Sequence, residues 1–68
     1  MNFGEKIKNL RQLSCLSQQE LADKLYVSRQ TVTKWENGKS LPDISKLKKL
    51  SEIFDTGIDS MLSDVSLD

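Results

Sequence analysis

Apolar residues recur along this chain at spacings of three and four positions, the pattern of helices that bury one face. The first such stretch predicts a helix over residues 1–14, whose apolar stripe consists of Phe3, Ile7, Leu10 and Leu13. Arg11 lies about 40° from Ile7 around this helix, at the edge of the stripe. An unpaired guanidinium is costly there, so Arg11 needs a partner.

Residues 17–38 contain two helix signatures separated by a very short break. Ser17 and Glu20 have the spacing of a capping box, in which each side chain accepts a hydrogen bond from a backbone N–H at the helix start. The second signature begins at Ser28, a candidate N-cap, and ends at Gly38, a residue suited to the left-handed position after a helix. Two short helices joined by three or four residues form a helix-turn-helix pattern.

The helix predicted over residues 29–37 has two unlike sides. Val32 and Trp35 define the side that faces the core, and Glu36 falls on the same side. Since Glu36 and Arg11 share the problem of a charge near an apolar stripe, an ion pair between them is the simplest solution. Such a pair would join the first helix to this one.

The opposite side of this helix is polar and carries Gln30, Thr33, Lys34 and Asn37, with Arg29 at its flank in the first turn. The candidate base-reading residues are Arg29, Gln30, Thr33 and Lys34. These residue types match base edges in the major groove of DNA. Gln can pair with adenine, Arg or Lys can pair with guanine, and the Thr methyl can touch the methyl of thymine. A base-reading face is one interpretation, and an ordinary solvated helix surface is the alternative.

The C-terminal third predicts two more helices. Pro42 favours the end of one helix and the start of the next, and the following apolar stripe consists of Ile44, Leu47, Leu50 and Phe54 with Ile53 beside it. A short last helix is predicted near Asp59. We expect Ile58 and Leu62 to close the core. The residues then left near the surface, as candidate dimer contacts, are Met61, Val65 and Leu67.

Length and composition limit the possible classes of protein. Sixty-eight residues allow one small domain, which we place at residues 1–63, with residues 64–68 as a tail that is either disordered or part of a dimer contact. No run approaches the roughly 20 apolar residues of a membrane span, and the start lacks the order of a signal peptide, which favours a soluble cytoplasmic protein.

The residues that usually carry catalysis and metal binding are scarce. The chain has no His, and its only Cys is Cys15, which we expect to lie buried or half-buried between helices. These counts exclude an internal disulfide and a histidine-based catalytic pair and argue against a metal site. We therefore predict no catalytic residues, no metal, no cofactor and no small-molecule ligand.

The net charge is zero, but the charges are unevenly distributed. All ten Lys and Arg residues lie within residues 1–49 with five acidic residues, a net charge of +5, while residues 50–68 carry five acidic residues and no basic one. The candidate reading helix lies in the positive part. Nucleic-acid binding is therefore compatible with this charge pattern, although non-specific affinity should be modest.

Three segments in this order, SQQELADKL, VSRQTVTKWENGK and LPD before a further helix, resemble the Cro and phage-repressor-like helix-turn-helix DNA-binding family. The resemblance covers nearly all of residues 3–62. It implies an all-α fold, a compact bundle of five short helices with a central helix-turn-helix, as in lambda-repressor-like DNA-binding domains. It also implies that the Arg11–Glu36 ion pair is largely buried.

The resemblance further implies contacts between this chain and DNA phosphates. The residues at matching positions are Gln18, Asn37 and Lys39, and Ser40 is a further candidate. Tyr26 departs from the family, whose turn often has Gly there because a side chain makes a positive φ costly. The turn geometry is therefore the least secure part of the resemblance.

The pattern and the resemblance together predict a sequence-specific regulator of transcription, a repressor, that binds double-stranded DNA. We expect a homodimer whose reading helices are about 34–36 Å apart, to match successive major grooves. The alternative is an antitoxin-like or adaptor module that uses the same fold to bind a protein through its acidic C-terminal segment. Whether the chain is the first domain of a longer protein stays open.

Overall fold

The computed structural model describes residues 2–63, with side chains described for residues 2–61. Its five α-helices are α1 (Phe3–Leu13), α2 (Gln18–Leu25), α3 (Arg29–Glu36), α4 (Ile44–Ile53) and α5 (Ile58–Ser63). Residues 2–63 contain no strand. The all-α fold class and the number of helices predicted from the sequence are confirmed.

Polar N-caps explain where the helices begin. The caps of the first four helices are Asn2, Ser17, Ser28 and Asp43, and each side chain accepts a hydrogen bond from a backbone N–H. At α2 the predicted capping box is complete, because Ser17 N–H also donates to Glu20 Oε1 at 2.9 Å. This bond and the Ser17 hydroxyl lower the pKa of the Glu20 carboxyl below its ordinary value of 4.5.

After each of three helices, a non-glycine residue adopts the left-handed conformation. These residues are Cys15 after α1, Tyr26 after α2 and Asp55 after α4, with φ values of 59°, 57° and 50°. Tyr26 thus adopts the turn conformation that favours Gly, with its side chain 86% exposed. Each such residue costs about 1–2 kcal/mol relative to a right-handed conformation.

The prediction that Cys15 is buried or half-buried was wrong. Its backbone N–H bonds to the Gln12 carbonyl at 3.0 Å, in the turn that ends α1, and its side chain is exposed. The connector needs a left-handed residue at this position to reverse the chain. This turn lies at the surface, so the Cys15 thiol does not contribute to the core.

Helices α1, α2 and α3 meet at the centre of the bundle, and α4 and α5 close its other side. The buried apolar residues are Phe3, Ile7, Leu21, Ala22, Leu25, Val32, Trp35, Leu50 and Met61. Most of the predicted stripe residues lie in or against this core. Leu13 and Ile44 do not, being 73% and 67% exposed. They are the last residue of α1 and the first of α4, beyond the reach of the neighbouring helices.

Met61 is completely buried, so its prediction as a surface dimer contact was wrong. Helix α5 packs on α1 and α4 with Met61 turned inward, while Ile58 is only partly covered. Among the α5 residues whose side chains are described, Met61 and not Ile58 is therefore the one that is fully buried in the core. Val65, Leu67 and the side chain of Leu62 lie outside the described residues.

Gly4 lets α1 and α3 approach closely. A Cβ atom at Gly4 would lie 2.6 Å from the carbonyl oxygens of both Trp35 and Glu36. These are backbone atoms at the end of α3, which cannot move aside as a flexible side chain can. The start of α1 thus packs directly on the C-terminal turn of the helix that carries the candidate reading face.

Candidate nucleic-acid interface

The outer side of α3 and the loop after it form a shallow groove of about 300 Å³. Its lining residues are Arg29, Gln30, Thr33, Lys34, Asn37 and Lys39. All four base-reading candidates are thus adjacent to two of the four phosphate-contact candidates. We call these six residues the binding groove.

The binding groove is cationic. Arg29, Lys34 and Lys39 contribute three positive charges, and none of the six lining residues is acidic. Each of the three cations is exposed. Arg and Lys side chains in this position can meet phosphate oxygens or the O6 and N7 acceptors of guanine.

The inner side of α3 holds this surface rigid. Val32 is completely buried, and Trp35 is 3% exposed among the core residues of the bundle. The Ser28 hydroxyl caps the helix by accepting from Thr31 N–H at 3.2 Å. Gly38, with a φ of 75°, then reverses the chain so that Lys39 returns to the groove. A face built on a packed helix presents its side chains in fixed directions.

The predicted ion pair between Arg11 and Glu36 is present. Arg11 Nε donates to Glu36 Oε2 at 2.7 Å, and a second guanidinium nitrogen donates to Glu36 Oε1 at 3.2 Å. The two side chains are 11% and 3% exposed. A third donor of Arg11 bonds to the Leu16 carbonyl at 2.8 Å. One guanidinium thus joins α1, the α1–α2 connector and α3.

Gln18 lies between this ion pair and the binding groove. Its Nε2 donates to Glu36 Oε1 at 3.0 Å, and its Oε1 accepts from the Thr33 hydroxyl at 3.2 Å. The Thr33 hydroxyl also lies 3.1 Å from the Arg29 carbonyl. The sequence predicted Gln18 as a phosphate contact, and the structure adds internal bonds that no helical pattern reveals. They depend on how α2 crosses α3.

Ser40 is exposed but does not line the binding groove. Gln18 is half-buried at the start of α2, beside the groove rather than in it. The sequence also missed Gly4 as a residue that positions α3. A glycine one turn before Ile7, on the same buried stripe, is the signal that could have indicated it.

The described part of the chain has neither a membrane-spanning helix nor a metal-binding cluster. No helix there has the length and apolar character needed to cross a membrane. No group of three or more His, Cys, Asp or Glu side chains there could hold a metal ion.

Comparison with known families identifies the fold and its central motif. The Helix-turn-helix family model matches residues 7–61, which include α2, α3 and the turn between them. The chain therefore belongs to the helix-turn-helix family, of the Cro and phage-repressor type predicted from the sequence.

Individual relatives agree with this assignment. The chain is 45% identical over 67 residues to the HTH-type transcriptional activator BcrR of Enterococcus faecalis, covering 98% of this chain and 33% of that protein. A transcriptional regulator from Listeria innocua has a similar structure, with a TM-score of 0.86 and 30% identity, covering 98% of this chain and 63% of that one. The biofilm regulator SinR, solved in complex with DNA, has a TM-score of 0.78 and 31% identity, covering 88% of this chain and 97% of that one.

The chain spans only part of the curated relatives it matches. Its share is 33% of BcrR and 56% and 55% of two transcriptional regulators of Bacillus subtilis. The similarity therefore concerns the helix-turn-helix unit that these proteins share.

Proposed function

We propose that this protein binds double-stranded DNA in a sequence-specific manner through the outer side of α3 and thereby regulates transcription. The observation that carries the proposal is the binding groove, which is cationic and rests on a packed helix. The DNA complex of SinR supports it, because SinR shares this fold at 31% identity. The proposal is one of binding rather than catalysis, in the cytoplasm with the DNA.

We assign base reading to the four groove residues on α3. Arg29 and Lys34 are donors suited to guanine, and the exposed amide of Gln30 can pair with adenine in two hydrogen bonds. Thr33 lies deeper than these three and presents a smaller surface. A major groove that admits α3 would bring all four side chains against base edges.

We assign phosphate contacts to the residues at the margins of this face. Asn37 and Lys39 lie at the C-terminal end of α3 and in the next loop, and both line the groove. Gln18 belongs to the start of α2, where backbone N–H groups and the helix dipole favour an anion. Ser40 extends the same loop. Such contacts would fix the register of the protein on the duplex without reading sequence.

We further propose that two copies bind together. One α3 occupies one major groove, so a two-fold dimer would place two reading helices about 34–36 Å apart on a palindromic site. Regulation would follow from occupancy of that site. The sequence favoured a repressor, but the relative BcrR is a transcriptional activator, so the proposal extends to either direction of control.

Selection of bound duplexes from a random pool tests this proposal. We expect a palindromic sequence to be enriched, and its affinity to fall steeply as salt rises because phosphate contacts release counterions. Lys39→Ala should reduce the salt dependence and weaken all duplexes alike, whereas Lys34→Ala should relax the preference at one base pair. A pool that enriches nothing would contradict the proposal and favour the protein-interaction alternative.

A further inference from the structure

We propose that the buried ion pair, acting through Gln18, and the Arg29 carbonyl together fix the hydrogen-bonding polarity of Thr33, so that its hydroxyl accepts a hydrogen bond from DNA and does not donate one. The group that Thr33 recognises would then be an exocyclic amino group, on adenine or cytosine. This inference rests on the function proposed above and adds the chemistry of one contact.

The order of donors and acceptors begins at Arg11. A guanidinium can only donate hydrogen bonds, and an ionised carboxylate can only accept them. Both oxygens of Glu36 accept from Arg11, at 2.7 and 3.2 Å, and Oε1 also lies 3.0 Å from the amide of Gln18. Because that oxygen cannot donate, only the NH₂ end of the Gln18 amide can face it. The reversed amide would place two oxygens against each other.

This orientation turns the Gln18 amide oxygen toward α3. Gln18 Oε1 lies 3.2 Å from Thr33 Oγ1, and the Arg29 carbonyl oxygen lies 3.1 Å from the same atom. Both neighbours are acceptors, so whichever one the hydroxyl chooses, its single proton is used inside the protein. The hydroxyl oxygen retains only acceptor capacity for a ligand in the binding groove.

Acceptor capacity selects particular base atoms. In the major groove the amino groups N6 of adenine and N4 of cytosine donate, whereas N7 and O6 of guanine and O4 of thymine accept. A base acceptor at Thr33 would meet an oxygen with no proton between them. The contact expected from the sequence, between the Thr methyl and thymine, remains compatible, since an A·T pair carries the adenine amino group as well.

The neighbouring cations have the opposite requirement. Arg29 and Lys34 can only donate, so they need base acceptors. The hydrogen-bonding role of Thr33, in contrast, is set from inside the protein, through Gln18 and the Arg29 carbonyl. Gln18 is accordingly a positioning residue for base recognition, besides its proposed contact with phosphate.

Base analogues test the polarity directly. After selection, the base pair read by Thr33 is located as the position whose preference is lost in Thr33→Val, a variant that keeps the side-chain shape without the hydroxyl. The adenine or cytosine there is then replaced by an analogue lacking the amino group, 2′-deoxynebularine or a 2-pyrimidinone nucleoside. We expect a loss of roughly 3- to 10-fold in affinity for the natural protein, beyond any loss shown by Thr33→Val.

Thr31→Val is the matched control. It makes the same change on the same helix, but Thr31 does not line the binding groove and its hydroxyl lies 3.0 Å from that of Ser28. This variant should keep the preference of the natural protein at every position. It should also lose affinity for the amino-deleted duplex to the same extent as the natural protein.

Gln18→Met tests the link to the ion pair. This change keeps the length of the side chain and removes both hydrogen bonds, so the Thr33 proton has one internal acceptor instead of two. We expect the penalty for deleting the amino group to shrink at the base pair that faces Thr33. An equal weakening of all duplexes with that penalty unchanged would overturn the role of Gln18, leaving only its phosphate contact.

The remaining outcomes separate this inference from the proposed function. A selection that enriches nothing overturns both. A selection that succeeds, but in which Thr33→Val changes no position, overturns this inference alone. This inference alone is also overturned if the natural protein loses affinity for a duplex with a 7-deazapurine, which lacks the N7 acceptor, but not for the duplex with the amino-deleted base.

Discussion

Replacing Glu36 by Ala should destabilise this fold more than any exchange on the exposed side of the same helix. The Glu36 side chain is 3% exposed and accepts three hydrogen bonds, two from Arg11 and one from Gln18. Its removal leaves the Arg11 guanidinium, itself 11% exposed, with the Leu16 carbonyl as its remaining partner in this network. The variant therefore carries a nearly buried charge without a counter-charge.

The expected magnitude follows from that unpaired charge. Removing one partner of a buried ion pair costs about 3–5 kcal/mol. A domain of this length has a total free energy of unfolding of roughly 3–10 kcal/mol, so the loss is a large share of it. At about 4–8 °C per kcal/mol, the Tm should fall by roughly 12–40 °C.

Thermal and urea unfolding followed by circular dichroism measure this effect. Lys34→Ala is the control, because Lys34 is exposed on the same helix and its removal should change the free energy of unfolding by less than about 0.5 kcal/mol. The double variant Arg11→Met with Glu36→Leu should recover most of the loss, since no charge is then left unpaired. Equal shifts in Tm for Glu36→Ala and Lys34→Ala would refute the reasoning.

Three further predictions concern stability. Gly4→Ala should lower the free energy of unfolding by about 1–3 kcal/mol, because the new Cβ would meet backbone oxygens at 2.6 Å. Gly57→Ala is the control and should have little effect, because its Cβ would have nothing within 4 Å. Equal chemical-denaturation midpoints for the two variants would contradict this prediction. Tyr26→Gly should raise the free energy of unfolding by about 1 kcal/mol, because glycine adopts the left-handed conformation without the steric cost of a side chain. Tyr26→Ala should bring no such gain, because it keeps a Cβ atom. A higher Tm for the Ala variant than for the Gly variant would contradict this prediction. Since the pKa of Glu20 is lowered in the fold, its ionised form stabilises the protein above pH 4.5. The advantage over Glu20→Gln should therefore disappear as the pH falls through the folded-state pKa. An advantage that stays constant down to pH 2 would show that the charge of Glu20 does not stabilise the helix start.

The helix-turn-helix and the ion pair could be predicted because their signals are local. The capping box at Ser17 and the cap at Ser28 define where α2 and α3 begin. Arg11 and Glu36 each lie beside an apolar stripe, and two buried charges of opposite sign need each other. Such signals do not require knowledge of how the helices cross.

The burial of Met61 and the internal bonds of Gln18 could not be predicted because they depend on packing between helices. Met61 and Ile58 share the apolar side of a short helix, and only the docking of α5 on α1 and α4 decides which one is fully covered. Gln18 is an ordinary first-turn residue in the sequence, and its bonds to Glu36 and Thr33 exist because α2 crosses α3 at that point. Periodicity predicts the face of a helix but not its contacts.

The outer side of α3 is the surface that we propose touches DNA. Backbone amide chemical shifts of ¹⁵N-labelled protein, recorded while the selected duplex is added, measure this contact most directly. We predict that the largest changes fall within residues 28–40 and at the start of α2, with small changes at a second groove, which is lined by Phe3, Leu41, Pro42 and Leu47. Changes concentrated at this second groove, with α3 unaffected, would contradict the account.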